Sequence, residues 1–83
     1  MKLPRDVGGL ELVKLLEKYG YRVTRQTGSH MRLRTNIKGT EHHVTIPSHN
    51  PLKTGTLSGV LGDVALYLKV EKNELIEGLF GRR

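Results

Sequence analysis

The fold is decided by residues 21–47, which read YRVTRQTGSHMRLRTNIKGTEHHVTIP. Polar and apolar side chains alternate along this stretch, and a period of two is typical of β-strands that bury one face. Two short breaks with glycine and polar residues divide it into three runs. The pattern therefore predicts three antiparallel strands, over residues 21–26, 30–35 and 41–47.

A helix is predicted immediately before the strands. Val7, Leu10 and Val13 recur at helical spacing, which indicates an amphipathic helix near residues 7–19. Asp6 is the predicted N-cap, because its carboxylate can accept hydrogen bonds from the first free backbone N–H groups. Gly20 is the predicted left-handed residue at the end of the helix.

Two further helices are predicted after the strands. Apolar residues at helical spacing end at Leu68, and Thr54 or Thr56 is the predicted N-cap of this second helix. A short third helix is predicted over about 72–79, with Glu71 as its cap.

The order of these elements predicts an α+β fold of helix, three-stranded antiparallel sheet, helix and short helix. Such a sheet has one face under the helices and one face open to water. This is the layout of the double-stranded-RNA-binding-domain type of fold. The length of 83 residues predicts a single domain over residues 1–83.

The positive charge of the chain is concentrated in one segment. The formal net charge is +6, and residues 18–62 hold seven Lys or Arg against a single acidic residue, Glu41. A positive field of this kind favours a polyanionic partner such as RNA. No apolar run approaches the roughly 20 residues that span a bilayer, so we expect no membrane partner. With no cysteine in the chain, we expect a cytoplasmic protein.

Strand alternation assigns side chains to the open face of the sheet. Val23, Met31, Leu33, Val44 and Ile46 are expected to point to the core. The open face is then expected to hold Arg22, Thr24, His30, Arg32, Arg34, His43 and Thr45. Arginine suits phosphate because its planar donors grip two oxygens at once, and histidine can accept and return a proton near neutral pH.

Two functions fit this face. RNA supplies its own nucleophile, the ribose 2′-OH, so a histidine beside arginines can cleave it without a metal or cofactor. Alternatively, the face belongs to a non-catalytic RNA-binding module, in which His30 is simply a surface residue. A zinc site made of His30, His43 and His49 lacks any recognised ligand spacing, and we expect neither metal nor cofactor.

Several motifs occur in an order that resembles a known family. They are Leu3-Pro4, Leu16-Glu17-Lys18-Tyr19-Gly20-Tyr21, Val23-Thr24-Arg25-Gln26, Thr27-Gly28-Ser29-His30, Val44-Thr45-Ile46-Pro47-Ser48-His49 and Lys53-Thr54-Gly55-Thr56-Leu57. The chain resembles the HicA (YcfA-like) mRNA interferase family over roughly residues 3–79.

The resemblance implies a double-stranded-RNA-binding-domain-like fold and an endoribonuclease that cuts mRNA and stops translation. It also implies the toxin of a type II toxin–antitoxin system with a HicB-type antitoxin. The family's catalytic histidine lies in Gly-Ser-His, which here is His30; a second histidine often follows, where this chain has Met31. The predicted RNA-binding residues are Arg22, Ser29, Arg32, Arg34 and His43. Pro47-Ser48-His49 either places a second histidine near the site or is a structural loop.

Overall fold

The computed structural model describes residues 3–81 of the chain. The helices and strands, in chain order, are α1 (Gly9–Glu17), β1 (Arg22–Thr27), β2 (His30–Thr35), β3 (His42–Pro47), α2 (Thr54–Leu68) and α3 (Lys72–Phe80). The strands form one antiparallel sheet in the order β1-β2-β3. The predicted α+β fold is confirmed, and each strand begins and ends within one residue of its predicted limit.

The helices cover one face of the sheet. Met31 and Leu33 of β2 are 2% and 0% exposed, and their neighbours His30 and Arg32 are exposed. The buried apolar side chains of the sheet and the three helices form one cluster. The alternation predicted for β2 is therefore confirmed, and Val44 and Ile46 confirm it for β3.

The predicted start of α1 is wrong. The N-cap is Gly8 rather than Asp6, and no side chain caps the helix. Gly9 begins the helix where its N–H donates to the carbonyl of His49 at 2.8 Å. A Cβ on Gly9 would lie 1.9 Å from the carbonyl oxygen of Pro47, so only glycine fits here. Contact with the backbone after β3, and not a capping side chain, sets where this helix begins.

Other predictions about the helix ends and faces had mixed outcomes. The N-cap of α2 is Lys53, so neither Thr54 nor Thr56 caps it. Glu71 is the N-cap of α3, as predicted, and its N–H donates to Oε1 of Glu74 at 3.3 Å. Leu10 is 61% exposed although its spacing placed it on the apolar stripe of α1.

Tyr67 of α2 ties the loop between β2 and β3 to the helices. Its hydroxyl accepts a hydrogen bond from Lys38 N–H at 2.9 Å and donates to the carbonyl of Thr40. Its ring stacks on His42, with centroids 4.7 Å apart, and Nδ1 of His42 lies 2.8 Å from the Tyr21 hydroxyl. Burial is the main reason that the pKa of Tyr21 is raised to about 12.

Within residues 3–81, none of the helices has both the length and the apolar character needed to cross a membrane.

Candidate functional site

The central strand β2 carries three of the predicted site residues on the open face. His30 and Arg32 are exposed, and Arg34 is half-buried. The neighbouring strands add Arg22, which pairs with Arg34, and His43, which also pairs with Arg34 from the other side. Directly opposed residues in an antiparallel sheet share a face, so these five side chains lie together on the side away from the helices.

A two-residue turn positions His30 at the start of β2. Thr27 and His30 are the last pair of the β1–β2 ladder, and Gly28 has a φ of +56° in the turn between them. The carbonyl of Ser29 accepts a hydrogen bond from Ser48 N–H at 2.7 Å, which fixes the turn against the end of β3. The Ser29 side chain is exposed beside His30.

The strand β1 departs from strict alternation. Val23 pairs with Leu33, but Arg25 pairs with Arg32, so Thr24 is an extra residue in a β-bulge. The Thr24 hydroxyl donates to the carbonyl of Arg32 at 3.3 Å. The bulge places Arg25 on the open face, whereas alternation would have turned it towards the helices. Our prediction of three arginines on this face was therefore incomplete, because there are four.

Val23 also differs from its predicted environment. It shares the helix-covered face with Leu33, as expected, but it is 39% exposed. Every residue of β1 is exposed, because the helices cover this edge of the sheet incompletely, whereas the other edge strand, β3, contributes buried residues to the core.

A shallow pocket of about 210 Å³ surrounds His30 on the open face. Its lining consists of Arg25, Thr27, His30, Arg32 and Thr45. The pocket thus combines one imidazole, two guanidinium groups and two hydroxyls, and no carboxylate lines it. Such a set of donors can hold a phosphate group beside a side chain that exchanges protons.

His49 lies outside this lining. It is exposed in the loop after β3, and its carbonyl accepts the hydrogen bond from Gly9. The structure therefore gives this segment a contact with α1, and it does not bring the His49 side chain into the pocket around His30.

Glu41 partly offsets the positive charge at the other end of the open face. Its Oε2 lies 3.4 Å from Nε of Arg34, and its Oε1 lies 2.8 Å from Nε2 of His43. The hydrogen bond from His43, followed by the charge of Arg34, lowers the pKa of Glu41. Two of the predicted RNA-binding side chains are therefore engaged by a carboxylate, while Arg25 and Arg32 form no ion pair within residues 3–81.

A second depression, of about 350 Å³, lies at the end of β2 away from His30. Arg22 and Arg34 line it together with Gly20, Thr35 and Asn36. Each of the two concave regions is thus bordered by a pair of arginines from β1 and β2.

Arg25 and the double contact of Glu41 were not found from the sequence. A signal for Arg25 existed, because strict alternation would have turned its charged side chain towards the core, where arginine is rarely buried without a partner. No comparable signal marked Glu41, whose contacts depend on how β2 and β3 pair near their connecting loop.

The histidines of the described part of the chain do not converge on a metal site. Adjacent His42 and His43 point to opposite faces, because His42 contacts Tyr21 and Tyr67 on the helix side. Across residues 3–81, no three side chains of His, Asp or Glu lie where they could hold one metal ion together. The zinc site of His30, His43 and His49 therefore has no geometric support.

Comparison with known families identifies the chain. Residues 9–66 match the family model described as the HicA toxin of bacterial toxin–antitoxin. The chain belongs to the HicA toxin family. The match covers most of the chain, including the whole sheet and the turn before His30, and it confirms the resemblance stated above. Searches of curated proteins and of solved structures found no match. As a HicA toxin, the protein belongs to a toxin–antitoxin system and has an antitoxin as its partner.

Proposed function

We propose that this HicA toxin is an endoribonuclease that cleaves mRNA through His30 in the cytoplasm and thereby stops translation. The observation that supports the proposal is the pocket that His30 lines together with two arginines and without any acidic side chain. A neutral imidazole in that position can act as a general base, and guanidinium groups stabilise the charge that develops on a phosphate.

The reaction that this arrangement supports is an internal transesterification. His30 removes the proton from a ribose 2′-OH, and the freed oxygen forms a bond to the adjacent phosphorus. The bond from phosphorus to the 5′ oxygen of the next nucleotide breaks, and that oxygen takes a proton from a water molecule, whose hydroxide in turn accepts the proton held by His30. The products are a 2′,3′-cyclic phosphate end and a 5′-hydroxyl end, and no metal or cofactor takes part.

The test is the variant His30→Ala. It should lower the cleavage rate by about 10²–10⁴-fold and abolish growth arrest, because a general base is removed. The fold should persist, since His30 is exposed. The matched control is His49→Ala, an exposed histidine outside the pocket, which should cleave as the wild type does. Cleavage by the wild type should survive EDTA and leave 2′,3′-cyclic phosphate ends.

Circular dichroism checks that each variant is folded. A folded His30→Ala protein with full activity would remove His30 from the mechanism. Activity that is lost on chelation and restored by zinc would replace the mechanism with a metal-dependent one. RNA binding by the wild type without any cleavage would instead favour the non-catalytic RNA-binding module, because binding needs the arginines and not a titratable group.

We also propose that a HicB-type antitoxin inhibits the toxin by covering the open face. The whole excess of positive charge lies in residues 18–62, which include the arginines around His30. An acidic partner docked there would exclude RNA and neutralise the field in one contact.

The double variant Arg32→Glu, Arg34→Glu tests this occlusion. It should weaken both RNA binding and antitoxin binding, and high salt should weaken both in the wild type. The measurement is titration of each partner against the purified toxin at several salt concentrations. Antitoxin affinity that stays at the wild-type value while RNA binding collapses would show that the antitoxin binds elsewhere.

A further inference from the structure

The β-bulge in β1 determines which arginines stand beside His30. Arg25 pairs with Arg32, and both line the pocket around His30. If Thr24 were paired as in a regular strand, Arg25 would pair with Met31 and face the core. Because Thr24 is instead unpaired in the bulge, Arg25 pairs with Arg32. The bulge therefore accommodates an additional residue while Arg25 stays on the open face, next to the reacting group.

The second arginine pair is in a different electrostatic situation. Arg22 and Arg34 pair two positions further along β2, about 6–7 Å from the first pair. Glu41 lies 3.4 Å from Arg34, so the positive charge of that pair is partly cancelled. In the pair of Arg25 and Arg32, neither guanidinium group is contacted by a carboxylate of residues 3–81, whereas in the second pair Arg34 is contacted by Glu41.

We propose that Arg25 and Arg32 together grip the phosphate that is cleaved, and that Arg22 and Arg34 hold a neighbouring phosphate of the same RNA strand more weakly. This inference rests on the proposed function, which it deepens by assigning a phosphate-binding role to Arg25. Two guanidinium groups on adjacent strands can each donate two hydrogen bonds to phosphate oxygens. The backbone of the RNA then runs along β2, with the reacting ribose next to His30.

The experiment compares Arg25→Gln with Arg5→Gln in the full-length chain. Both variants remove one exposed arginine and one positive charge, but Arg5 lies before α1 and away from the sheet. Two measurements are made: the rate of cleavage of an RNA oligonucleotide, and the salt dependence of binding to a 2′-O-methyl oligonucleotide, which lacks the nucleophile.

Arg25→Gln should lower the cleavage rate by about 10²-fold, the usual effect of removing one donor that stabilises the transition state. Its log–log salt slope of binding should become shallower by about 0.7, which corresponds to one phosphate contact on a single strand. Arg5→Gln should change neither quantity. Arg25→Lys should restore the salt slope but not the full rate, because lysine carries the charge without the planar fork.

Equal effects of Arg25→Gln and Arg5→Gln would overturn the inference, since the loss would then follow net charge and not position. A different result would refute the proposed function. If the wild type binds the 2′-O-methyl oligonucleotide but leaves unmodified RNA intact, nuclease activity is refuted; a slope still shallower in Arg25→Gln would then support the phosphate site alone.

Discussion

Replacing Glu41 with glutamine should strengthen RNA binding. Glu41 is the one acidic residue among residues 18–62, and its two carboxylate oxygens engage Arg34 and His43. Glutamine keeps the size of the side chain and a hydrogen-bond acceptor but removes the negative charge. The change therefore frees Arg34 for phosphate and removes a carboxylate that would repel the RNA backbone.

The size of the effect follows from the exposure of the cluster. The side chains of Arg34 and Glu41 are 43% and 54% exposed, so water and salt screen their attraction. Affinity at physiological salt should rise by no more than about tenfold, because exposed ion pairs are weak. If Arg34 gains one phosphate contact, the log–log salt slope steepens by about 0.7, so a tenfold rise in salt costs about five times more affinity than in the wild type.

The assay is fluorescence anisotropy with a labelled 2′-O-methyl oligonucleotide at several salt concentrations. A matched control is Glu17→Gln, which removes an exposed carboxylate at the end of α1 and away from the open face. This control raises the net charge by the same amount. If the position of Glu41 matters, the increase in RNA affinity of Glu41→Gln must therefore exceed the increase that Glu17→Gln shows.

An unchanged salt slope in Glu41→Gln would refute the reasoning, because it would mean that release from Glu41 does not strengthen the contact of Arg34 with RNA. An equal gain in both variants would also refute it, since net charge alone would then explain the binding. Lower pH provides an independent check. The pKa of Glu41 is lowered, so its ion pairs persist below the ordinary glutamate range and are lost only as pH falls through that lowered pKa.

Two further predictions concern stability. Gly9→Ala should lower the free energy of unfolding by about 1–3 kcal/mol or more, because the added Cβ would lie 1.9 Å from the backbone oxygen of Pro47. The control Gly8→Ala should lose less stability in thermal melts, since its Cβ would meet only the movable side chain of Asn50 at 3.0 Å. A melting temperature of Gly9→Ala equal to that of the wild type would contradict the close contact at Gly9. Tyr21→Phe should be less stable than the wild type at pH 8, by about 1 kcal/mol for the lost hydrogen bond to His42, and this gap should narrow by pH 11. The pKa of Tyr21 is about 12 in the folded protein and 10.0 ordinarily, so the unfolded wild type releases its phenol proton first as pH rises. The folded wild type therefore loses stability between pH 10 and pH 12. Urea titrations that give the same difference between Tyr21→Phe and wild type at both pH values would contradict this prediction.

The strands were predictable because burial of one face imposes a strict period. In β2 and β3 the inward positions Met31, Leu33, Val44 and Ile46 are apolar, so the pattern predicted both the strands and the open-face positions of His30 and Arg32. β1 was less predictable, because all its residues are exposed and the core therefore constrains it weakly. Its bulge is a property of pairing with β2, and for that reason Arg25 escaped the sequence argument.

The ends of the helices could not be predicted for a related reason. Asp6, Thr54 and Thr56 are suitable capping residues, but suitability does not place them at the first turn of a helix. In α1 the position is set by the contact of Gly9 with the chain after β3. Glu71 was predicted correctly because its partner Glu74 lies three residues away, so the interaction is local.

The close contact at Gly9 affects how selections for non-toxic variants should be interpreted. Pro47, whose backbone Gly9 touches, pairs with His30 across the sheet, so a disturbance at the start of α1 reaches the histidine through one strand. Survivors of toxin induction will therefore include substitutions at positions far from RNA, alongside those in the pocket. Immunoblotting of each survivor separates the two groups, because a packing defect reduces the amount of toxin in the cell whereas a change in the pocket leaves that amount unaltered.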